Sequence, residues 1–134
     1  MTTQLVQAYL AAARACDDTA LAAIVTSDFA MSVLPASLGM PPDAPFEHWK
    51  ASVQGLKMKL MGGRLGIEVL EQIDAGNKIV LHLRNVDTVS VEGKAFTNEY
   101  IVILTTMEES GALKIKHLKE FVDSAFIAGF FGSA

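Results

Sequence analysis

Residues 79–123 hold three long β-rich runs, and few folds can accommodate them. IVLHLRNVDTVSV leads to a turn at Glu92-Gly93-Lys94, FTNEYIVILTTM leads to a turn at EESG, and LKIKHLKEFVD closes the stretch. Long runs rich in β-branched residues, joined by Gly-bearing turns, make an antiparallel meander. Such a sheet must bury at least one face. Polar residues break its apolar pattern at His82, Arg84, Asn85, Asp87, Asn98, Glu99, His117 and Glu120. The chemistry is expected where those side chains meet.

The preceding chain supplies what covers the sheet. Thr3 caps a helix through Ala15 whose Leu5, Val6, Tyr9 and Leu10 form an apolar stripe. Asp18 is the expected cap of a short second helix, Ala20 to Val25, and FAMSVL is a strand stopped at Pro35. PASLGMPPDAP reads as loop. Phe46 to Met61 carries Phe46, Trp49, Val53, Leu56 and Leu60 at helical spacing. RLGIEVLEQI then pairs with IVLHLRNV over Asp74-Ala75-Gly76-Asn77. The tail SAFIAGFFGSA is apolar enough to cover a cavity or a neighbour. This order predicts a single α+β domain over residues 1–134. A curved antiparallel sheet wraps around helices as a cone (a cystatin-like α+β barrel), and a cone has an inside.

Composition narrows the partners. A net charge of −4 without a basic cluster argues against nucleic acid. With 51% hydrophobic residues in 134, the chain has apolar surface to spare for a cavity or a dimer face. The single Cys16 excludes an internal disulfide and points to a reducing compartment. The start lacks the pattern of a signal peptide, and no apolar run approaches the roughly 18 residues that span a bilayer. A soluble cytoplasmic protein is expected, without membrane contact. Three scattered His and one Cys show no metal-ligand spacing, and no Gly-rich phosphate loop follows a strand into a helix. Neither metal nor cofactor is expected.

The AYLAAARACDDTALAAI start, the NEY before an apolar strand, and the ending KIKHLKEFVDSAF resemble the SnoaL-like proteins. These belong to a cone-shaped superfamily with ketosteroid isomerase, limonene epoxide hydrolase, scytalone dehydratase and nuclear transport factor two. LPASLGMPP and the NEY…EFVDS pairing are most similar to the small fungal branch, some of whose members are isomerases or cyclases of polyketide and meroterpenoid pathways. The resemblance implies that Tyr9 stands where ketosteroid isomerase has its oxyanion-binding Tyr. The catalytic Asp of that enzyme falls here on Leu34, and Met31 stands where many fungal relatives carry a His. Against the Asp–Arg–Asp set of limonene epoxide hydrolase, Asn85 replaces the Arg, with Asp87 and Glu120 at the carboxylate positions.

Period-two alternation puts Leu81, Leu83, Asn85, Asp87 and Val89 on one face, with His82, Arg84 and Thr88 on the other. Glu120 shares parity with Leu118 and Val122, so it also interrupts an apolar face. Asp87 and Glu120 are expected as paired acid and base, since a carboxyl held in an apolar pocket has a raised pKa. Asn85 and Tyr9 are expected as hydrogen-bond donors to the substrate, with Glu99 and His117 as further substrate-binding candidates. The expected function is isomerisation or cyclisation of a hydrophobic polyketide or meroterpenoid intermediate by proton movement beside a carbonyl, in a homodimer joined through one sheet face. A non-catalytic binding or dimerisation module stays open, as do epoxide hydrolysis and dehydration.

Overall fold

The computed structural model describes residues 1–131. Helix α1 (Thr2–Arg14) is followed by α2 (Asp18–Ala22), strand β1 (Val25–Leu34), the two-residue β2 (Ala44–Pro45) and helix α3 (Phe46–Lys59). Then come β3 (Ile67–Ala75), β4 (Lys78–Asn85), β5 (Glu99–Glu109), β6 (Ala112–Phe121) and a short helix α4 (Ser124–Phe130). The last three residues of the expected cavity-covering tail, 132–134, lie outside the described residues. The strands form one sheet in the order β2-β1-β6-β5-β4-β3. All neighbours are antiparallel except β1 and β6, which run parallel. The α+β class stands; that one pairing makes the sheet mixed.

Local chemistry accounts for most boundaries. Leu5, Val6, Tyr9 and Leu10 recur at helical spacing, and all four are buried. The cap of α2 is Asp17 rather than Asp18: its carboxylate accepts from Ala20 N at 3.0 Å. At the β5–β6 hairpin, Ser110 and Gly111 take positive φ of 53° and 79°, the twist that suits a two-residue connection. β1 starts earlier than its apolar run implies because Val25 pairs with Ile115 across a bulge. Glu109 holds that bulge by accepting from Ser27 N and Oγ at 3.1 and 3.0 Å.

The largest departure from the expected meander lies after Asn85. The strand read through Val91 stops at Asn85, and the chain leaves the sheet. Residues 88–96 fold back on themselves, with Phe96 N donating to Thr88 O and Ser90 N to Lys94 O, each within 2.9 Å. The tip meets the end of α3, where Val91 N donates to Lys59 O and Met61 N to Val89 O. Gly66 makes this exit feasible: a Cβ there would lie 1.9 Å from Val86 O.

The concave face of the sheet is the core wall. Ile79, Leu81, Leu83, Val102, Leu104, Ile115 and Leu118 have no solvent exposure. Full burial of each such side chain contributes about 1.5–3 kcal/mol. Phe29, stacked on Trp49 at 5.3 Å between centroids, joins β1 to α3. Helices α1 and α3 cover this wall incompletely, and what they leave open is the site.

Candidate active site

A cavity of about 390 Å³ lies between the concave face, α1 and α3. Its walls are apolar along Leu21, Met31, Trp49 and Val53 and polar at Tyr9, Asn85, Asn98, Tyr100 and Glu120. That pattern, apolar walls with a few converging polar groups, suits a small hydrophobic ligand.

Glu120 enters the cavity from β6 because it stands opposite Val102 and keeps the parity of Leu118 and Val122. Among the described residues it is the one carboxylate in the lining, and no side chain or backbone group hydrogen-bonds it. It is half-buried, and its oxygens keep some accessible surface because they border the cavity. Desolvation by burial pushes its pKa up to about 7. A carboxyl poised there can take a proton or return one near neutral pH.

Two phenols face it. Tyr9 is buried on α1, and burial first, then Tyr100, then the Glu120 charge hold its pKa well above the ordinary phenol value. Tyr100 lies two residues before Val102, hence diagonal to Glu120 across β5 and β6. Burial and then Glu120 raise its pKa, against a lowering by the hydrogen bond from Asn85. Both stay protonated at neutral pH. Asn85 Nδ2 donates to Gly66 O at 3.1 Å and to the Tyr100 hydroxyl at 3.3 Å.

Helix α4 borders the cavity. Asn98 Oδ1 accepts from Asp123 N at 3.2 Å, and the Asp123 carboxylate accepts from Phe126 N, capping α4. That places Ile127 and Phe131 on the cavity. Phe96 packs edge-on against Phe126 and Phe130 beneath them.

Of the expected site residues, the structure brings together Glu120, Tyr9 and Asn85. It does not bring in Asp87, which is exposed and absent from the lining. At Asp87 φ is +49°, which ends the period-two alternation that had placed it beside Asn85. The Asp87–Glu120 pair therefore does not form. Glu99 is exposed on the convex face, where it meets His82 Nε2 at 2.7 Å. His117 also points outward and bonds Asp43 Oδ1 at 3.0 Å. Neither lines the cavity. Asn85 stands in it, but both of its N–H groups are engaged inside the protein. Tyr100 was not foreseen, because a Tyr alternating with Val102 and Leu104 continues an apolar face instead of breaking it. Among the described residues no three His, Cys, Asp or Glu converge as metal ligands. No described helix is long and apolar enough to cross a membrane.

The chain has the cone-shaped fold of NTF2-like proteins. Among solved structures it is similar to AusH from Aspergillus nidulans, at 24% identity over 100% of this chain and 99% of that one, TM-score 0.75. It is also similar to the BvnE pinacolase from Penicillium brevicompactum, at 22% identity over 97% and 93%, TM-score 0.80. An NTF2-like protein of unknown function from Burkholderia pseudomallei matches at 15% identity over 94% and 93%, TM-score 0.73. Scans against protein-family models and curated protein sequences give no match.

Proposed function

We propose that the chain is a cofactor-free acid–base catalyst acting on a hydrophobic small molecule, with Glu120 moving the proton. The observation that carries this reading is a cavity carboxyl without a hydrogen-bond partner among the described residues, raised to about 7 by burial. Isomerisation, cyclisation or skeletal rearrangement fits a single carboxyl that takes a proton from one atom and delivers it to another. The likeness to a fungal pinacolase supports rearrangement chemistry, and the fungal SnoaL-like resemblance supports a polyketide or meroterpenoid intermediate. Epoxide hydrolysis through paired carboxylates has lost its support, because Asp87 lies outside.

A second reading, a binding module without turnover, is favoured by Met31, an inert side chain that lines the cavity where relatives place a base. Thermal-shift screening of lactones, anthraquinones, meroterpenoids and ketosteroids identifies the ligand class, since any ligand of the folded state raises Tm. Turnover of that class should fall about 10²–10⁴-fold in Glu120→Gln. A bound class with equal product formation in wild type and Glu120→Gln, or with none in either, sinks the catalytic reading.

The same reading includes a homodimer through the convex face. Ile73, Val80 and Ile103 align there across three strands, and Ile101 aligns with Phe121. Ile73 is 48% exposed and Phe121 45%, apolar surface that a partner copy would cover. Light scattering should give twice the chain mass for wild type and the chain mass for Phe121→Asp. A monomeric wild type at micromolar concentration removes the dimer.

A further inference from the structure

Helix α3 is sparsely covered. Of Phe46–Lys59 only Trp49 is buried, and the last turn runs out into water. Met58 is 82% exposed there, and Met61, just past the helix, 61%. The folded-back segment that meets this end adds Val91, 60% exposed, whose N–H donates to Lys59 O at 2.8 Å. Val89, bonded to Met61 through the backbone, and Phe131 of the chain end extend the exposed apolar surface. Large apolar side chains gathered in one place and left in water mark a surface that meets a partner or a membrane.

Its rim is basic. Lys57 and Lys59 flank Met58 at about 100° to either side on the helix. Arg64 follows Gly63, and Lys94 ends the tip of the folded-back segment; all four cations are exposed. Residues 57–64 and 89–94 hold them against one acid, Glu92, in a chain of net charge −4. The cations are spread from 57 to 94, so no basic run stands in the sequence, and the expectation of no membrane contact was drawn without them. Folding collects them around the apolar strip. Lys59 Nζ lies 5.2 Å from the Phe131 ring centroid. Lys94 Nζ lies 5.2 Å from that of Phe130 and donates to Phe130 O at 3.3 Å.

We propose that this patch docks the protein on an anionic lipid bilayer. Apolar side chains enter the headgroup boundary while lysines on long stems reach the lipid charges around them. A bilayer suits it better than a protein strand, because the backbone groups of Val89, Val91, Lys59 and Met61 that could pair with one are already bonded to each other. The patch offers methyl groups and positive charge with little directional recognition. It also adjoins the cavity: Lys59 and Phe131 are exposed and line it too. A hydrophobic ligand taken from the bilayer would enter there without crossing water. Docking itself is independent of Glu120 and of turnover.

Co-sedimentation of the full chain with extruded vesicles tests it. Wild type should pellet with phosphatidylcholine containing phosphatidylglycerol, stay in solution with phosphatidylcholine alone, and be released by high salt. Lys57→Gln and Lys94→Gln should each weaken partitioning about fivefold, and Val91→Asp should weaken it more. Lys78→Gln, the same charge change at the β3–β4 turn, should leave it unchanged. No pelleting with either vesicle overturns the proposal without needing any variant to fold, as does pelleting indifferent to lipid charge. Equal losses in Lys78→Gln and Lys57→Gln would make the attraction one of net charge and also overturn it. Light scattering supplies the last outcome: a dimer that Val91→Asp dissociates makes the patch a contact between copies, and the membrane assignment falls.

Discussion

The two faces of one sheet carry similar side chains under opposite conditions. On the convex face His82 pairs with Glu99, Arg84 with Glu68, and His117 with Asp43, all with one or both partners in water. On the concave face Glu120 has no hydrogen-bond partner among the described residues and is desolvated by burial. Its chain neighbours Lys119 and Phe121 are both exposed. One step of strand alternation separates a surface charge from a carboxyl poised near 7. Residue type did not set this difference. Desolvation did.

Three measurements sharpen or break that contrast, in decreasing order of effect. Leu118, solvent-free on the concave side, and Lys119, exposed beside it, form the first pair. Leu118→Ala should cost about 2–5 kcal/mol in urea unfolding. Lys119→Ala should stay within about 0.5 kcal/mol. Comparable losses would mean that the two faces are buried alike, as a very tight dimer would produce.

The second concerns pH. Because Glu120 is raised from 4.5 to about 7, the folded state holds its proton more tightly than the unfolded one. Its contribution is therefore fully present below about pH 4.5, declines as pH rises to about 7, and is flat above. Glu120→Gln should gain on wild type by on the order of 3 kcal/mol across that window. A pH-independent difference between the two proteins would show that the carboxyl is solvated. The third and smallest is Glu99→Gln, which removes an exposed pair with His82 and should change stability by less than about 1 kcal/mol. Ligand affinity should be unchanged. A large loss there would move the convex pairs from solvated surface to structural interior.

Residue alternation made much of the sheet legible. Leu81, Leu83, Val102, Leu104 and Leu118 share the buried face that their spacing implied. Glu120 interrupts that face as its parity with Leu118 and Val122 required. Tyr9 was legible through the family resemblance, as a phenol on the first helix. Asp87 was misread because the same alternation was carried past the point where the strand ends. Tyr100 was missed because its ring satisfies an apolar pattern and its hydroxyl leaves no mark on it.

What the chain determined by itself is what neighbouring residues control: helical stripes, two-residue periodicity and the Ser110-Gly111 turn. Tertiary structure alone decided where β4 stops, since the groups that draw residues 88–96 away are Lys59 and Met61, about thirty residues earlier. It also decided that β1 runs parallel to β6, and that Tyr9, Asn85, Tyr100 and Glu120 face one space. The reason is physical. Alternation sets which side of a strand a residue takes, while strand length and desolvation depend on partners distant in sequence, which no local pattern encodes.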